Sequence, residues 1–272
     1  MLQSLPIRLR NSLFRRRFDN KIFFLHIPKC GGTSIDNSIR NLYKRVDVRC
    51  DREISRHDSK ISRKVAALLE GYDYEYGSTD DYSLMKFREK HLLYLMYTER
   101  IHYISGHITF NRRIYEEAHK IYDYITLLRA PVEKWLSYFY YFKYRDSDTL
   151  QIDTSLNSFM NTEIGRMPGY DYVKYLGGLR PDGEYTSKEA IDSAKSNIDK
   201  FKIVGILEDT AHFCEAFKNV YGRRLSIGYR NINPAKGLRS SKISNDVLDR
   251  IKEICKPNID IYRFVVSKIE RD

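Results

Sequence analysis

The stretch Lys21-Ile-Phe-Phe-Leu-His-Ile-Pro-Lys-Cys-Gly-Gly-Thr-Ser34 decides how the rest of the chain is read. Lys21–Ile27 is a short, aromatic-rich apolar run ending at a proline, the pattern of a buried strand. Gly31-Gly32 makes a turn. From Thr33 the apolar residues Ile35, Ile39 and Leu42 fall on one face of an amphipathic helix. A strand, a glycine turn and a helix in that order gather backbone N–H groups and a helix N-terminus around one point, which suits an anion. Gly31 and Gly32 let the backbone approach a bulky oxyanion closely. Lys29 adds a mobile positive charge, and Thr33 and Ser34 add hydroxyl donors. The lysine precedes the glycines, so the nucleotide-kinase order GxxxxGK[ST] is absent. No acidic residue stands out as a magnesium ligand of a nucleoside triphosphatase.

Outward from this stretch, strands and helices alternate. Ser83–Glu99 reads as a helix and Ile101–Ser105 as a second strand, ending at Gly106-His107. Tyr122–Leu128 reads as a third strand. Pro131 then sits where a helix begins, with Val132, Trp135, Leu136, Phe139 and Phe142 as its apolar face. Thr186-x-x-Glu189 has the form of a capping box and introduces a helix carrying Ala190, Ala194, Ile198 and Phe201 on one side. Ile203–Leu207 reads as a fourth strand, followed by a helix with Phe213, Cys214, Phe217 and Tyr221 and a stop at Gly222. Two more helical patterns, Asn245–Cys255 and Ile259–Ile269, are separated at Pro257. Lys44–Gly77, rich in charge and then in Tyr72, Tyr74 and Tyr76, reads as a helical or irregular insertion. The expected fold class is α/β: a three-layer α/β/α arrangement around a central, mainly parallel sheet.

Of the 272 residues, 42% are hydrophobic and 31% charged, too apolar for a disordered chain and too charged for a multi-span membrane protein. Lys and Arg number 47 against 36 Asp and Glu, a net charge of +11 that points to a polyanionic partner. Nucleic acid, an anionic membrane face, and a phosphate- or sulfate-bearing ligand all satisfy that charge. Residues 1–20 read as a basic leader with Arg8, Arg10, Arg15, Arg16 and Arg17, open to peripheral membrane contact but lacking the apolar core of a secretory signal. Ile22–Ile27 falls far short of the ~20 apolar residues of a spanning helix. The expectation is one domain over residues 21–272, with no transmembrane segment and a cytoplasmic location. Cys30, Cys50, Cys214 and Cys255 form no C-x-x-C pair and no zinc-ligand spacing, so free thiols in a reducing compartment are expected.

A second motif follows the third strand: Leu128-Arg129-Ala-Pro131-Val-Glu-Lys-Trp-Leu-Ser137. Arg129 supplies a planar fork for phosphate and Ser137 a hydroxyl donor. Taken together, His26–Ser34 resembles the 5′-phosphosulfate loop of sulfotransferases that use 3′-phosphoadenosine 5′-phosphosulfate (PAPS). Arg129 and Ser137 are similar to the arginine and serine, eight residues apart, that bind the 3′-phosphate in that family. Gly106-His107-Ile-Thr-Phe110 resembles the Gly-His segment of the uronyl, heparan-type 2-O-sulfotransferases, whose histidine is the catalytic base. Where some relatives carry a second histidine, this chain has Ser105. Tyr175–Gly178 and Val204–Glu208 resemble later blocks of the same carbohydrate sulfotransferase group, and Asn231–Arg239 its late cofactor-contacting loop. The resemblance runs from Lys21 to Ile269.

It implies a P-loop-like sulfotransferase fold and transfer of a sulfuryl group from PAPS to an acceptor hydroxyl of a carbohydrate, releasing 3′-phosphoadenosine 5′-phosphate (PAP). His107 would be the base, and Lys29 would stabilise the bridging oxygen. Gly31, Gly32, Thr33 and Ser34 would hold the 5′-phosphosulfate. Arg129 and Ser137 would hold the 3′-phosphate, with Lys236 and Arg239 as further contacts, and no metal is implied. A P-loop-like nucleotide kinase and a basic nucleic-acid-binding protein stand as alternatives. The order of lysine and glycines argues against the first. The absence of helix-turn-helix, RRM-type and zinc patterns argues against the second, so no nucleic-acid partner is expected. His26, His57, His91, His102, His119 and His212 show no partner pattern and read as surface or satisfied core residues. Trp135 and Tyr138–Phe142 read as core.

Overall fold

The computed structural model describes residues 18–43, 53–71, 81–144, 152–228 and 243–271. Its strands are β1 (Ile22–Leu25), β2 (Glu53–Arg56), β3 (Ile101–Gly106), β4 (Asp123–Leu128) and β5 (Ile203–Ile206). Its helices are α1 (Gly32–Tyr43), α2 (Ser59–Leu69), α3 (Asp81–Tyr97), α4 (Arg112–Ala118), α5 (Pro131–Tyr144), α6 (Leu156–Met160), α7 (Glu163–Arg166), α8 (Asp171–Gly177), α9 (Lys188–Ile198), α10 (Thr210–Tyr221), α11 (Asn245–Ile254) and α12 (Lys256–Ile269).

All five strands are parallel, in the order β2-β3-β1-β4-β5. Leu25 lies opposite Gly106 on one side and Thr126 on the other, and Leu128 lies opposite Ile206. The carboxyl ends of the strands therefore share one rim.

A parallel sheet covered on both faces has strands that are apolar throughout rather than alternating, and every residue of β1 is buried. On one face Ile22, Phe24, Tyr103 and Ile125 pack with Ile35 and Ile39 of α1 and Phe213 and Phe217 of α10. On the other, Phe23, Leu25, Ile104 and Tyr124 share a core with α3, α8, α9 and α12. A third cluster joins Trp135 and Phe139 of α5 to Phe159 of α6 and Ile251 of α11. Trp135 Nε1 donates to Gly165 O at 2.7 Å, so the buried indole leaves no polar atom unsatisfied.

Three expectations are corrected. The 44–77 stretch contains strand β2 and helix α2; residues 44–52 and 72–80, with Cys50, Tyr72, Tyr74 and Tyr76, lie outside the described residues. β2 pairs with β3 alone among the described strands, and such a border strand needs no apolar run, so Glu-Ile-Ser-Arg does not announce itself. The N-cap of α9 is Ser187, whose Oγ accepts from Ala190 N at 3.2 Å. Thr186 Oγ1 instead donates to Glu184 Oε1 at 2.6 Å. Pro257 lies inside the first turn of α12 rather than between two helices. Residues 1–17 of the leader are outside the described residues, but Phe18 is buried and its ring lies 5.0 Å from that of Tyr43. Cys30, Cys214 and Cys255 are free thiols. Among the described residues no helix is long and apolar enough to cross a membrane.

Candidate active site

The chain leaves β1 toward the β2–β3 side and leaves β4 toward β5, so the connections after these neighbouring strands diverge. Such a switch point opens a crevice at the carboxyl ends of a parallel sheet, where ligands of this architecture bind. The segments His26–Gly31, Gly106-His107 and Arg129-Ala130 all emerge at this rim, as do His57 after β2 and Leu207-Glu208 after β5.

The glycine loop is tightly wound. Lys29 has φ +64° and Gly31 φ +74°, both left-handed; for a lysine this conformation costs about 1–3 kcal/mol and persists only where the surroundings impose it. A Cβ on Gly31 would lie 2.6 Å from Leu207 Cδ1, and one on Gly32 would lie 2.6 Å from His26 Cδ2. The loop is thus wedged between the ends of β1 and β5. Gly32→Ala must displace the His26 imidazole, which also stacks on Phe24 at 5.3 Å. The expected outcome is a loss of about 1–3 kcal/mol in stability, typical of overpacking, read by thermal melting. Thr33 and Ser34 are half-buried in the first turn of α1. Lys29 Nζ stands 3.4 Å from the centre of the Tyr141 ring. Tyr141 is 36% exposed, which corrects its reading as core: the ring faces the loop's cation.

His107 Nδ1 is hydrogen-bonded to the carbonyl of His26 at 2.5 Å. A carbonyl only accepts, so Nδ1 carries the proton and the neutral imidazole has its lone pair on Nε2. The two imidazole rings lie 4.8 Å apart. Behind His107, the buried Arg88 donates from Nη1 to His107 O at 2.9 Å and from Nε to Ser62 Oγ at 3.1 Å. A Cβ on Gly106 would lie 2.6 Å from His57 Cβ, so His57 packs directly beneath this turn.

His57 Nε2 and His91 Nδ1 are 2.8 Å apart, so buried His57 is a satisfied core residue, with a partner that the sequence did not mark. The group was invisible in the sequence because it depends on β2, which carries His57 to the rim. Burial, then the neighbouring His91, Arg88 and His107, hold His57 down to about 3 from its ordinary 6.5. Burial lowers His91 as well. Between these limits the unfolded chain binds a proton at His57 that the folded chain refuses. Stability is therefore complete above pH 6.5 and falls as pH drops from 6.5 toward 3, by at most about 1.4 kcal/mol per pH unit for one proton. His57→Gln is expected to flatten that slope in thermal melts recorded across the range.

Arg129 crosses from β4 to the glycine loop. Its Nη1 donates to Lys29 O at 3.3 Å and its Nη2 lies 3.7 Å from Glu133 Oε2. Its backbone is fixed by Tyr172, whose hydroxyl accepts from Arg129 N at 2.9 Å and donates to Arg129 O at 2.5 Å. Next to it Ala130 N donates to Glu208 Oε1 at 3.0 Å. Ser137 is buried, two turns into α5. Glu133, Ser137 and Tyr141 recur at four-residue steps and so share one side of the helix, the side whose ends touch Arg129 and Lys29. Lys29, Gly31, Gly32, His107 and Arg129 are thus brought together at the rim; Lys236 and Arg239 lie outside the described residues. Tyr172 and Arg88 were missed by sequence reasoning: each acts through contacts distant along the chain, and no local pattern marks them. Glu208 stood in the sequence only as the end of the Val204–Glu208 block, without a role.

The class these features define is an α/β protein with a parallel sheet and a cationic, glycine-lined rim carrying a tautomer-fixed histidine. Compared with known proteins, the sequence matches no family model and no curated protein.

Proposed function

We propose that this protein is a sulfotransferase of P-loop-like fold that moves a sulfuryl group from PAPS to a carbohydrate hydroxyl. The observation that carries the reading is the hydrogen bond from His107 Nδ1 to the carbonyl of His26, the residue that opens the glycine loop. It ties a proton acceptor to an anion cradle, which is what in-line transfer onto a hydroxyl requires. The donor set fits a nucleotide with two anionic ends: the wound loop with Lys29, Thr33 and Ser34 for one, and Arg129 with Ser137 for the other. The free thiols of Cys30, Cys214 and Cys255 suit a reducing, cytoplasmic setting.

In this mechanism His107 Nε2 takes the acceptor hydroxyl's proton as the acceptor oxygen bonds to sulfur. The bond from sulfur to the bridging oxygen breaks, and the electron pair stays on PAP. Lys29 neutralises charge on that oxygen. The loop amides and Thr33 hold the phosphosulfate, and Arg129 and Ser137 orient the nucleotide.

The test is transfer of label from PAPS to a panel of glycans, lipids and small alcohols, alongside PAP binding. Labelled glycan is the expected product. Absence of both transfer and PAP binding overturns the reading, and magnesium-dependent turnover of ATP in their place moves it to a kinase. Arg129→Ala is expected to weaken PAP binding about 10- to 100-fold, the range for a charge-assisted hydrogen bond. Unchanged binding by calorimetry removes Arg129 from the nucleotide site.

A further inference from the structure

We propose that Tyr172 is a positioning residue that locks the two anion-binding segments to each other, so that they bind the two ends of one ligand as a unit. The proposal rests on the sulfotransferase reading only for what that ligand is. Tyr172 lies in α8, outside both segments, and is fully buried. Its hydroxyl has one hydrogen and two lone pairs, and all three are used. The hydrogen goes to Arg129 O at 2.5 Å, since a carbonyl only accepts. One lone pair receives Arg129 N–H at 2.9 Å. The other faces Cys30 Sγ at 3.5 Å, and with the hydroxyl hydrogen already committed the thiol must be the donor. Burial pushes that thiol up to about 11, which keeps it protonated and able to donate.

One oxygen atom thus joins the loop after β1 to the loop after β4, positions 99 or 100 residues apart along the chain. The anchor is itself rigid. Tyr172 N donates to Asn258 Oδ1 at 2.9 Å, and Asn258 Nδ2, fully buried in α12, donates to Pro168 O at 2.8 Å. Arg129 Nη1 adds a second bridge to Lys29 O. His107 hangs on a separate bond, to His26 O. The lock therefore serves binding of the anionic ligand and not proton transfer.

Tyr172→Phe removes the hydroxyl and keeps the ring. Amide exchange at residues 29–33 and 129–130 is expected to accelerate together, about tenfold, with β1 and β4 unchanged. The KM for PAPS is expected to rise about tenfold, with kcat falling alongside it because Lys29, which neutralises the bridging oxygen, sits in the loosened loop. Acceleration of one segment alone, or of neither, overturns the lock, as does a fall in kcat at constant KM. Should Tyr172→Phe not fold, Cys30→Ala tests the same link. Exchange at residues 129–130 must then rise although no atom of Arg129 or Tyr172 has been altered; an unchanged rate sinks the proposal. Exchange requires no substrate, so a wild-type protein that transfers no sulfate would defeat the sulfotransferase reading and leave this measurement decisive for the lock.

Discussion

On the proposed sulfotransferase reading, replacing His107 by alanine is expected to lower sulfate transfer ~10²–10⁴-fold, the range for loss of a general base, with little change in PAP affinity. The asymmetry follows from geometry. His107 follows β3 and meets the glycine loop at His26, through its carbonyl and its ring, whereas the loop's shape is imposed by Lys29, Gly31, Leu207 and Arg129. Removing the imidazole deletes the Nε2 lone pair and leaves that scaffold standing. His107→Asn refines the test: its amide can still donate toward His26 O but offers no comparable base. If both variants lose turnover alike, proton transfer is the role. If His107→Asn retains most activity, His107 only supports the loop. Near-normal turnover in His107→Ala removes it from the chemistry altogether.

Asp171→Ala is expected to destabilise the fold by about 3–5 kcal/mol, the usual consequence of stripping one partner from a buried ion pair. Lys134 has no exposed side-chain surface, and its Nζ lies 2.6 Å from Asp171 Oδ2 and 3.2 Å from Pro168 O. The Tyr172 ring also lies 5.4 Å from Nζ. Without the carboxylate, the ammonium must stay charged in a dry site or surrender its proton, and both are unfavourable. The double variant Lys134→Met/Asp171→Leu is expected to recover most of the loss, because it removes both charges and keeps the volume. Chemical denaturation of the three proteins checks this; equal stabilities would show that water reaches Lys134. The pair joins α5 to α8, the helices that carry Ser137 and Tyr172, so on the proposed reading Asp171→Ala should also weaken PAP binding.

The strand–turn–helix at 21–43 is legible in the sequence because everything it needs is local: an apolar run, two glycines, and a helical stripe ending in Leu42. The same holds for β4 and α5, where Pro131 marks the start of the helix. Parallel pairing follows from the alternation of strands and helices, without reference to any one contact. β2 is not legible. A short border strand pairs on one side and takes its place from β3, and Glu53–Arg56 has no apolar signature. With β2 unseen, His57 has no address, and its contact with His91 and its place beneath Gly106 stay hidden. Tyr141 was misread for a related reason. Helical periodicity assigns it to an aromatic face, but which part of that face meets Lys29 is decided by the crossing of α5 over the glycine loop. Tyr172 fixes Arg129 across a long stretch of chain, and no motif announces a residue whose role is to hold another in place.

The all-parallel sheet has a further consequence, for how the molecule comes into being. Ile22 of β1 meets Asp123 of β4, 101 positions later, and no tight turn can join parallel neighbours. Every pairing in the sheet waits for a long crossover to close, which places the protein among slow, topology-limited folders. The glycine loop, His107 and Arg129 acquire their arrangement only when these distant pairings are made. The rim thus cannot be complete before β1 and β4 have paired, whatever the order of the other steps.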